Sequence, residues 1–406
     1  MRKTLWLGTL ALAVLGWALA QGHGDHGHNH GHHHGHGHHH GHGHHGERLF
    51  HRLAVADARE ALVRVLDEDG KELGRFTVPS PARLYPLPGG QYVLAVHREA
   101  NAVSFLWGGL RLEDHGDHKD LKPENPYVAA TLRTGPKPTH VFVGGERLAV
   151  FHDGDGTVAL FDLKRLGLDF SPRLIATGGA DHGAPALLGE ALLVGSLERG
   201  QVEVYTLGGT RVTALPQACP RLHGEAVLGG VAAFGCADGV LLVERRGQGF
   251  AGRKVPNPPG TPEGVRVGTL TSHPRYPFFV GNFGQGLALI DPKEGRLEAL
   301  SLPARPVAFG FDPEGEALYV LTEDGRFHKL DPVGRRVVGS LEAVSPRAQG
   351  APAPGMALGH GVAYLTDPAR GQVVRVDLEG WQVAARWEVG GAPSAIALFE
   401  VEGVEH

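Results

Sequence analysis

The sequence predicts an all-β protein folded as a single β-propeller of eight blades, with seven blades as the alternative. Three observations lead to this prediction. A pattern of short apolar strands and tight turns recurs after residue 48, no stretch has the period of an amphipathic helix, and glycine (61 residues) and proline (28) are abundant. Strands of this kind cannot bury both faces alone, whereas stacking about a central axis buries them.

The first twenty residues have the features of a cleavable export signal. A positively charged start precedes an apolar core from Leu5 to Leu19, and Ala18-Leu19-Ala20 fits a cleavage site. A membrane anchor is the alternative, but this apolar run is short for a span, and no later run reaches about 18 apolar residues. We therefore expect residues 1–20 to be a signal peptide. The mature protein is then periplasmic or otherwise exported, with no stable membrane insertion after cleavage.

Residues 21–47 form a histidine-rich tail. They contain only Gln, Gly, His, Asp, Asn and Glu, and they hold 14 of the 26 histidines. No apolar side chain is present to form a core, so we expect the tail to be disordered without metal. Near pH 7 most of its imidazoles are neutral and can bind divalent metal. We interpret the tail as a metal-capturing segment; a solubilising tail is the alternative.

Residues 48–402 are expected to form the propeller domain. Apolar strands separated by turns recur in eight units, whose central strands begin roughly 39 to 55 residues apart, a spacing that fits four strands per unit. The units span residues 52–76, 91–107, 147–162, 191–205, 230–243, 277–291, 316–331 and 361–377. The last strand, 394–399, has no unit after it, so we expect it to pair with the first blade and close the ring. Two smaller β domains are the alternative, although no Pro/Ser-rich linker interrupts the domain.

The tetrapeptide His-Gly-Asp-His occurs twice, once in the tail and once in an insertion of roughly 19 residues after Trp107. Imidazole and carboxylate are preferred zinc ligands, and glycine lets the backbone turn. We predict that both copies bind the same divalent metal, with Asp117 of the second copy a direct ligand or an acceptor that orients an imidazole. A solvated acidic loop is the alternative for the second copy. The copies are His23-Gly24-Asp25-His26 and His115-Gly116-Asp117-His118.

A second group of histidines is predicted to face one rim of the propeller. Four of them stand at or near the start of an inner strand, while His97 and His152, beside Asp153, lie in turns that share that rim. Residues of adjacent blades can converge on one ion, although a lone loop histidine is more often satisfied by hydrogen bonds. We predict that at least two of the four share a metal. The four are His140, His182, His223 and His273.

The position of the insertion leaves two arrangements open. A loop that follows a third strand belongs at the opposite face or the outer edge of the propeller. The insertion therefore either reaches across toward His140 or forms a separate site.

Cys219 and Cys236, the two cysteines of the chain, are expected to form a disulfide. An exported protein meets an oxidising compartment, and the spacing is not that of a Cys-x-x-Cys metal motif. A bridge would close a loop of about 18 residues and contribute on the order of 3 kcal/mol. Two buried thiols or a thiolate metal site are the alternatives.

Several motifs follow one another along the chain after the export signal and the histidine-rich start. They are the second tetrapeptide, Pro138-Thr139-His140, Phe151-His152-Asp153-Gly154-Asp155-Gly156, Asp181-His182-Gly183, Cys219-Pro220-Arg221-Leu222-His223-Gly224-Glu225, Phe234-Gly235-Cys236, Gly281-Asn282-Phe283-Gly284 and Tyr364-Leu365-Thr366-Asp367-Pro368. In this order they make residues 48–400 similar to the periplasmic zinc metallochaperones of the AztD type.

The resemblance implies a β-propeller with two kinds of zinc site and direct transfer of Zn(II) to the solute-binding protein of a zinc ABC importer. It assigns His115, His118, His140 and His182 as principal ligands, with Asp117 and His223 next. Where the pattern has a further histidine after the second tetrapeptide, this chain has Lys119-Asp120.

Other classes of function have less support. The formal charge of −5 argues against nucleic-acid binding. No haem motif, phosphate-binding loop or nucleophile elbow is present, so we expect no enzymatic activity. A propeller enzyme of the dehydrogenase or lactonase type and an interaction scaffold with a metal-buffering tail are the alternatives. Neutral imidazole also serves nickel, cobalt and copper, so the motifs do not fix the metal.

Overall fold

The computed structural model describes residues 46–406, which form eight four-stranded antiparallel sheets and one two-stranded sheet. The fold is an eight-bladed β-propeller, which confirms the predicted fold class and blade count. The expected signal peptide, the tail up to residue 45, and with it His23, Asp25 and His26, lie outside the described residues.

The first four blades follow the chain. The first contains β1 (Arg48–Asp57), β2 (Leu62–Leu66) and β3 (Glu72–Thr77). The second contains β4 (Arg83–Pro86), β5 (Tyr92–His97) and β6 (Ala102–Trp107), then a hairpin of β7 (Leu110–Asp114) and β8 (Lys119–Pro123), then β9 (Tyr127–Leu132). The third contains β10 (Pro138–Gly144), β11 (Arg147–His152), β12 (Thr157–Asp162) and β13 (Arg173–Ala176). The fourth contains β14 (Gly183–Leu188), β15 (Ala191–Ser196), β16 (Gln201–Thr206) and β17 (Arg211–Ala214).

The other four blades repeat this order. The fifth contains β18 (Glu225–Leu228), β19 (Val231–Cys236), β20 (Gly239–Arg246) and β21 (Gly249–Pro256). The sixth contains β22 (Leu270–Thr271), β23 (Phe279–Asn282), β24 (Gly286–Asp291) and β25 (Arg296–Ser301). The seventh contains β26 (Pro306–Phe311), β27 (Leu318–Thr322), β28 (Arg326–Asp331) and β29 (Arg336–Glu342). The eighth contains β30 (Met356–Gly359), β31 (Val362–Asp367), β32 (Gln372–Asp377) and β33 (Gln382–Glu388).

The last strand, β34 (Pro393–Gly403), closes the ring. It pairs antiparallel with β1, from Arg48 opposite Gly403 to Asp57 opposite Pro393, and becomes the inner strand of the first blade. The expected closure is therefore confirmed. Joining the two ends of the domain in one sheet removes an open edge that could pair with other chains.

Burial in the blades decreases from the middle strands to the outer ones. All six residues of β15 are buried, whereas β33 alternates between exposed and half-buried side chains. The cores lie between neighbouring blades: Phe105 of the second blade and Phe161 of the third are both fully buried, with ring centroids 5.2 Å apart. Such face-to-face burial gives each sheet the apolar partner that it lacks alone.

The regular helices in the described part are two 3₁₀ turns, Arg98–Ala100 and Leu163–Arg165. Within residues 46–406, no helix has the length and apolarity needed to cross a bilayer.

Strand direction assigns each turn to one of two faces. In every blade, the start of the inner strand and the turn between the second and third strands share one face, which we call the upper face. The turn between the first and second strands and the end of the third strand lie at the other, the lower face. The hairpin β7–β8 follows the third strand of the second blade, so it extends from the lower face, as does the segment after β34.

Candidate metal centre

Three histidines from three successive blades converge at the upper face. His140 lies near the start of β10, His182 immediately precedes β14, and His223 precedes β18 by two residues. Their ligand nitrogens lie within 4.8 Å of one another. The ring centroids are separated by 4.6 Å (His140–His182), 5.0 Å (His140–His223) and 5.2 Å (His182–His223). We call this cluster the three-histidine centre.

The outward-facing nitrogens of the centre meet oxygen atoms. The Nδ1 atom of His182 lies 2.7 Å from Oδ2 of Asp153, and Nδ1 of His223 lies 2.5 Å from the carbonyl oxygen of Gly268. Such partners fix the tautomer and orientation of an imidazole, so that its Nε2 lone pair points to a metal. The Nε2 atoms of His140 and His182 are 2.9 Å apart. Two lone pairs repel at this distance, so the contact requires a shared proton or a cation.

Burial keeps two of the three imidazoles neutral before metal arrives. It lowers the pKa of His140 to about 3, with further lowering from His182 and His223. Burial also lowers the pKa of His223. Burial opposes ionisation of Asp153, but several interactions, of which the hydrogen bond from His182 is the largest, together outweigh it and lower the pKa of the carboxyl. At neutral pH His140 and His223 are therefore neutral imidazoles, the form that binds metal.

Glu225 stands behind His140 as a buried carboxyl. Its Oε2 lies 4.0 Å from Nδ1 of His140 and has no hydrogen-bond partner within residues 46–406. Burial raises the pKa of Glu225 to about 8. A short movement would let this group form a hydrogen bond with Nδ1 of His140, the ring position that Asp153 contacts on His182. Sequence reasoning did not assign Glu225 a role, although it lies two residues after His223 in a quoted motif.

The predicted disulfide between Cys219 and Cys236 is present, which excludes a thiolate metal site. Both cysteines are fully buried and flank the loop that carries His223. In that loop the backbone N–H of His223 donates to the carbonyl oxygen of Gly235 at 3.0 Å. The disulfide and this hydrogen bond fix the loop to β19 and thereby position the third imidazole.

Two other rim histidines are structural. His97 is fully buried, with Nδ1 2.9 Å from the carbonyl oxygen of Ser80 and Nε2 2.8 Å from Oγ of Ser104. His152 is also fully buried, with Nε2 2.7 Å from Oγ1 of Thr134 and Nδ1 2.9 Å from the carbonyl oxygen of Thr157. Because both nitrogens of each ring have protein partners, neither histidine joins the centre.

The placement of His273 with the other inner-strand histidines was wrong. Its strand, β22, has only two residues and ends at Thr271, so His273 follows the strand instead of starting it. The histidine therefore lies at the lower face, where its Nε2 is 2.8 Å from the carbonyl oxygen of Pro313.

A second cluster lies at the tip of the hairpin β7–β8. The Nε2 atoms of His115 and His118 lie 3.3 Å and 3.1 Å from the carboxylate of Asp120, and Nε2 of His406 lies 2.9 Å from it. Ligand atoms of His118, Asp120 and His406 are within 4.8 Å of one another. Asp117 is largely exposed and accepts from Nδ1 of His118 at 2.7 Å, so it stands as an orienting acceptor. We call this cluster the hairpin site.

The C-terminus completes the hairpin site. The backbone N–H of Leu121 donates to the carbonyl oxygen of Val404, and that of Val404 donates to Lys119, each at 2.8 Å. These bonds bring His406 to Asp120, 286 residues away in sequence. Sequence reasoning assigned neither Asp120 nor His406 as a ligand.

The two clusters lie at opposite faces. The three-histidine centre is built from starts of inner strands, whereas the hairpin site follows a third strand and the end of β34. The arrangement in which the insertion reaches His140 is therefore wrong, and the insertion carries a separate candidate cluster.

Comparison with known proteins identifies relatives of the chain. No family model matches it. It is 28% identical over 370 residues to the zinc chaperone AztD of Citrobacter koseri, which covers 87% of this chain and 88% of that protein. Crystal structures of Citrobacter koseri AztD, one of them apo, superpose with a TM-score of 0.78 at 26% identity, covering 88% of this chain and all of theirs. The resemblance found in the motifs is thus confirmed.

A more distant structure shows the fold alone. The dihydro-heme d1 dehydrogenase NirN has a TM-score of 0.58 at 14% identity, covering 85% of this chain and 74% of that chain.

Proposed function

We propose that this protein is a periplasmic zinc metallochaperone, which binds Zn(II) at the three-histidine centre and passes it to the solute-binding protein of a zinc ABC importer. The observation that supports this most directly is the convergence of His140, His182 and His223 from three blades. The similarity to a protein named zinc chaperone supports the same conclusion. No metal redox step or catalytic residue is needed for this role.

The centre is suited to hold zinc more tightly than the tail. Its imidazoles are oriented by Asp153 and by the backbone before the ion arrives, so little conformational entropy is lost on binding. The sequence predicts no core for residues 21–47, including His23, Asp25 and His26, so ordering them around each ion would cost more entropy. We propose that the tail captures zinc and the centre retains it.

The hairpin site is proposed as a second, more labile zinc site. About half of the His115 and His406 side chains is exposed, so water and an incoming ligand can reach both. Asp120 is mostly buried and already faces three imidazoles, which gives the site a mixed nitrogen and oxygen ligand set. Asp117 would orient His118. Exposed ligands on a hairpin favour exchange over retention.

A tetrahedral zinc ion has four ligand positions, and three imidazoles fill only three of them. The fourth position is where a ligand from the acceptor can bind before the protein ligands leave. Transfer by such stepwise exchange keeps the ion out of bulk water. The same donors accept copper(II), nickel and cobalt, so elemental analysis of protein from its native compartment tests the choice of zinc.

The function is tested by zinc affinity and transfer in variants. We expect the His140→Ala/His182→Ala double variant to lose the tightest zinc equivalent in chelator competition, together with transfer to the acceptor. His273→Ala, which removes a histidine from the lower face, is the matched control and should behave as the wild type. Unchanged affinity in the double variant would refute the assignment.

Two alternatives make different predictions. An interaction scaffold with a buffering tail would lose all zinc when residues 21–46 are deleted, whereas the proposed chaperone keeps at least one tight equivalent. A propeller enzyme would turn over a lactone or reduce a redox dye when metal-loaded.

A further inference from the structure

A basic pocket opens beside the three-histidine centre. Its volume is about 320 Å³, and Arg221, His223, Arg266 and Asn282 are among the residues that line it. None of the described residues lining it is acidic. The pocket lies at the upper face, next to the third imidazole of the centre.

Arg266, which lines this pocket, has an unused hydrogen-bond donor. Its Nε donates to the carbonyl oxygen of Val267 at 2.7 Å, and its Nη1 donates to that of Arg221 at 3.0 Å. Its Nη2 is buried and has no hydrogen-bond partner within residues 46–406. A buried donor without an acceptor is costly, and a guanidinium pairs best with a carboxylate, which can accept from it in a fork.

The surroundings of the centre lack negative charge on this side. Neither Arg221 nor Arg266 forms an ion pair with a carboxylate of the described chain, and their mutual repulsion adds to burial in lowering the pKa of Arg266. A Zn(II) ion held by three neutral imidazoles would add two more positive charges.

We propose that this pocket receives a carboxylate side chain of the zinc acceptor, which Arg221 and Arg266 hold while one of its oxygens takes the open position on the ion beside His223. The proposal rests on the proposed function and adds the chemistry of the incoming ligand. Carboxylate is both a zinc ligand and the preferred partner of arginine, so one group can serve both contacts. The arginines thus select the acceptor by charge and orient its first ligand.

Two chelators of different charge test this step on the zinc-loaded mature protein. Nitrilotriacetate attacks zinc with carboxylates, whereas 1,10-phenanthroline attacks it with neutral nitrogens. Arg221→Gln/Arg266→Gln should slow zinc removal by nitrilotriacetate on the order of tenfold or more, the factor expected for a lost charge-assisted hydrogen bond. Removal by phenanthroline should change by less than about twofold, since it makes no such bond.

Further variants separate this role from a structural one. Arg221 is exposed, so Arg221→Gln alone reports on charge without disturbing the half-buried Arg266. Arg266→Lys keeps the positive charge but not the forked pair of N–H donors. It should slow zinc removal by nitrilotriacetate less than Arg266→Gln does. Arg246→Gln removes the same charge from the lower face and should leave both rates unchanged.

The outcomes distinguish this proposal from the function on which it rests. If the double arginine variant loses zinc more slowly to both chelators by the same factor, or no more slowly to either, the pocket proposal is overturned while zinc binding stands. A wild-type protein that binds no zinc would overturn both.

Discussion

The Nε2 atoms of His140 and His182 lie 2.9 Å apart, although 42 residues separate the two histidines in sequence. The propeller produces this contact, because both residues stand where the inner strands of adjacent blades begin. The pKa of His140 is lowered to about 3, mainly by burial. His140 is therefore held neutral beside His182, where both rings can meet a divalent cation.

Asp153 should contribute to zinc affinity, but its substitution should cost less affinity than the loss of a ligand. Asp153→Asn keeps the size of the side chain but removes the charge that orients His182. We expect zinc affinity at the centre to fall by about 10- to 100-fold, the range typical of lost ligand-orienting partners. Competition against a fluorescent chelator measures this. Asp155→Asn, in the same turn, is the control, and an Asp153 variant with wild-type affinity would refute the orienting role.

The two sites should lose zinc in a fixed order as pH falls. The hydrogen bond to Asp117 raises the pKa of His118, so protons compete with metal at the hairpin site at a higher pH. At the centre, burial lowers the pKa of His140 to about 3, so this imidazole remains neutral in mild acid. We expect zinc titrations of a tail-deleted protein between neutral pH and about pH 5 to show the hairpin site emptying first. The reverse order would contradict the site assignments.

Removing the last residue should affect the hairpin site alone. His406 bonds to Asp120, while the centre lies at the opposite face. Deletion of His406, or His406→Ala, should weaken the labile zinc equivalent and leave the tight one unchanged in a two-site titration. His360→Ala, which removes another lower-face histidine, serves as the control. A loss of the tight equivalent would show that the two sites are not independent.

The disulfide should link stability to metal binding. Cys219→Ala/Cys236→Ala is expected to lower the free energy of unfolding by on the order of 3 kcal/mol, because the loop between the cysteines is no longer closed. The same variant should bind zinc more weakly, since the loop carrying His223 is freed at one end. Chemical denaturation and chelator competition give the two values. A variant that is less stable but binds zinc normally would show that the disulfide does not position His223.

The sequence predicted the architecture well because the architecture repeats. Strand and turn patterns recur at even spacing, and that regularity also placed His140, His182 and His223 at equivalent positions of successive blades. The same rule misplaced His273, because β22 is too short for its start to be recognised. Regular patterns therefore predict a site only where the blades are regular.

Contacts that depend on a single pairing could not be predicted. Asp120 meets His406 because the chain after β34 runs beside β8, through an isolated bridge between Asp120 and Val404. Nothing periodic in the sequence marks that bridge. The buried position of Glu225 and the free donor of Arg266 likewise depend on packing between adjacent blades, which local sequence does not encode.

The central claim is that three imidazoles of the propeller hold one zinc ion. Crystals of the zinc-loaded mature protein, measured at wavelengths on both sides of the zinc absorption edge, test it most directly. The account predicts an anomalous peak bonded to His140, His182 and His223. Zinc bound by the protein in solution but absent from this position in the crystal would contradict it.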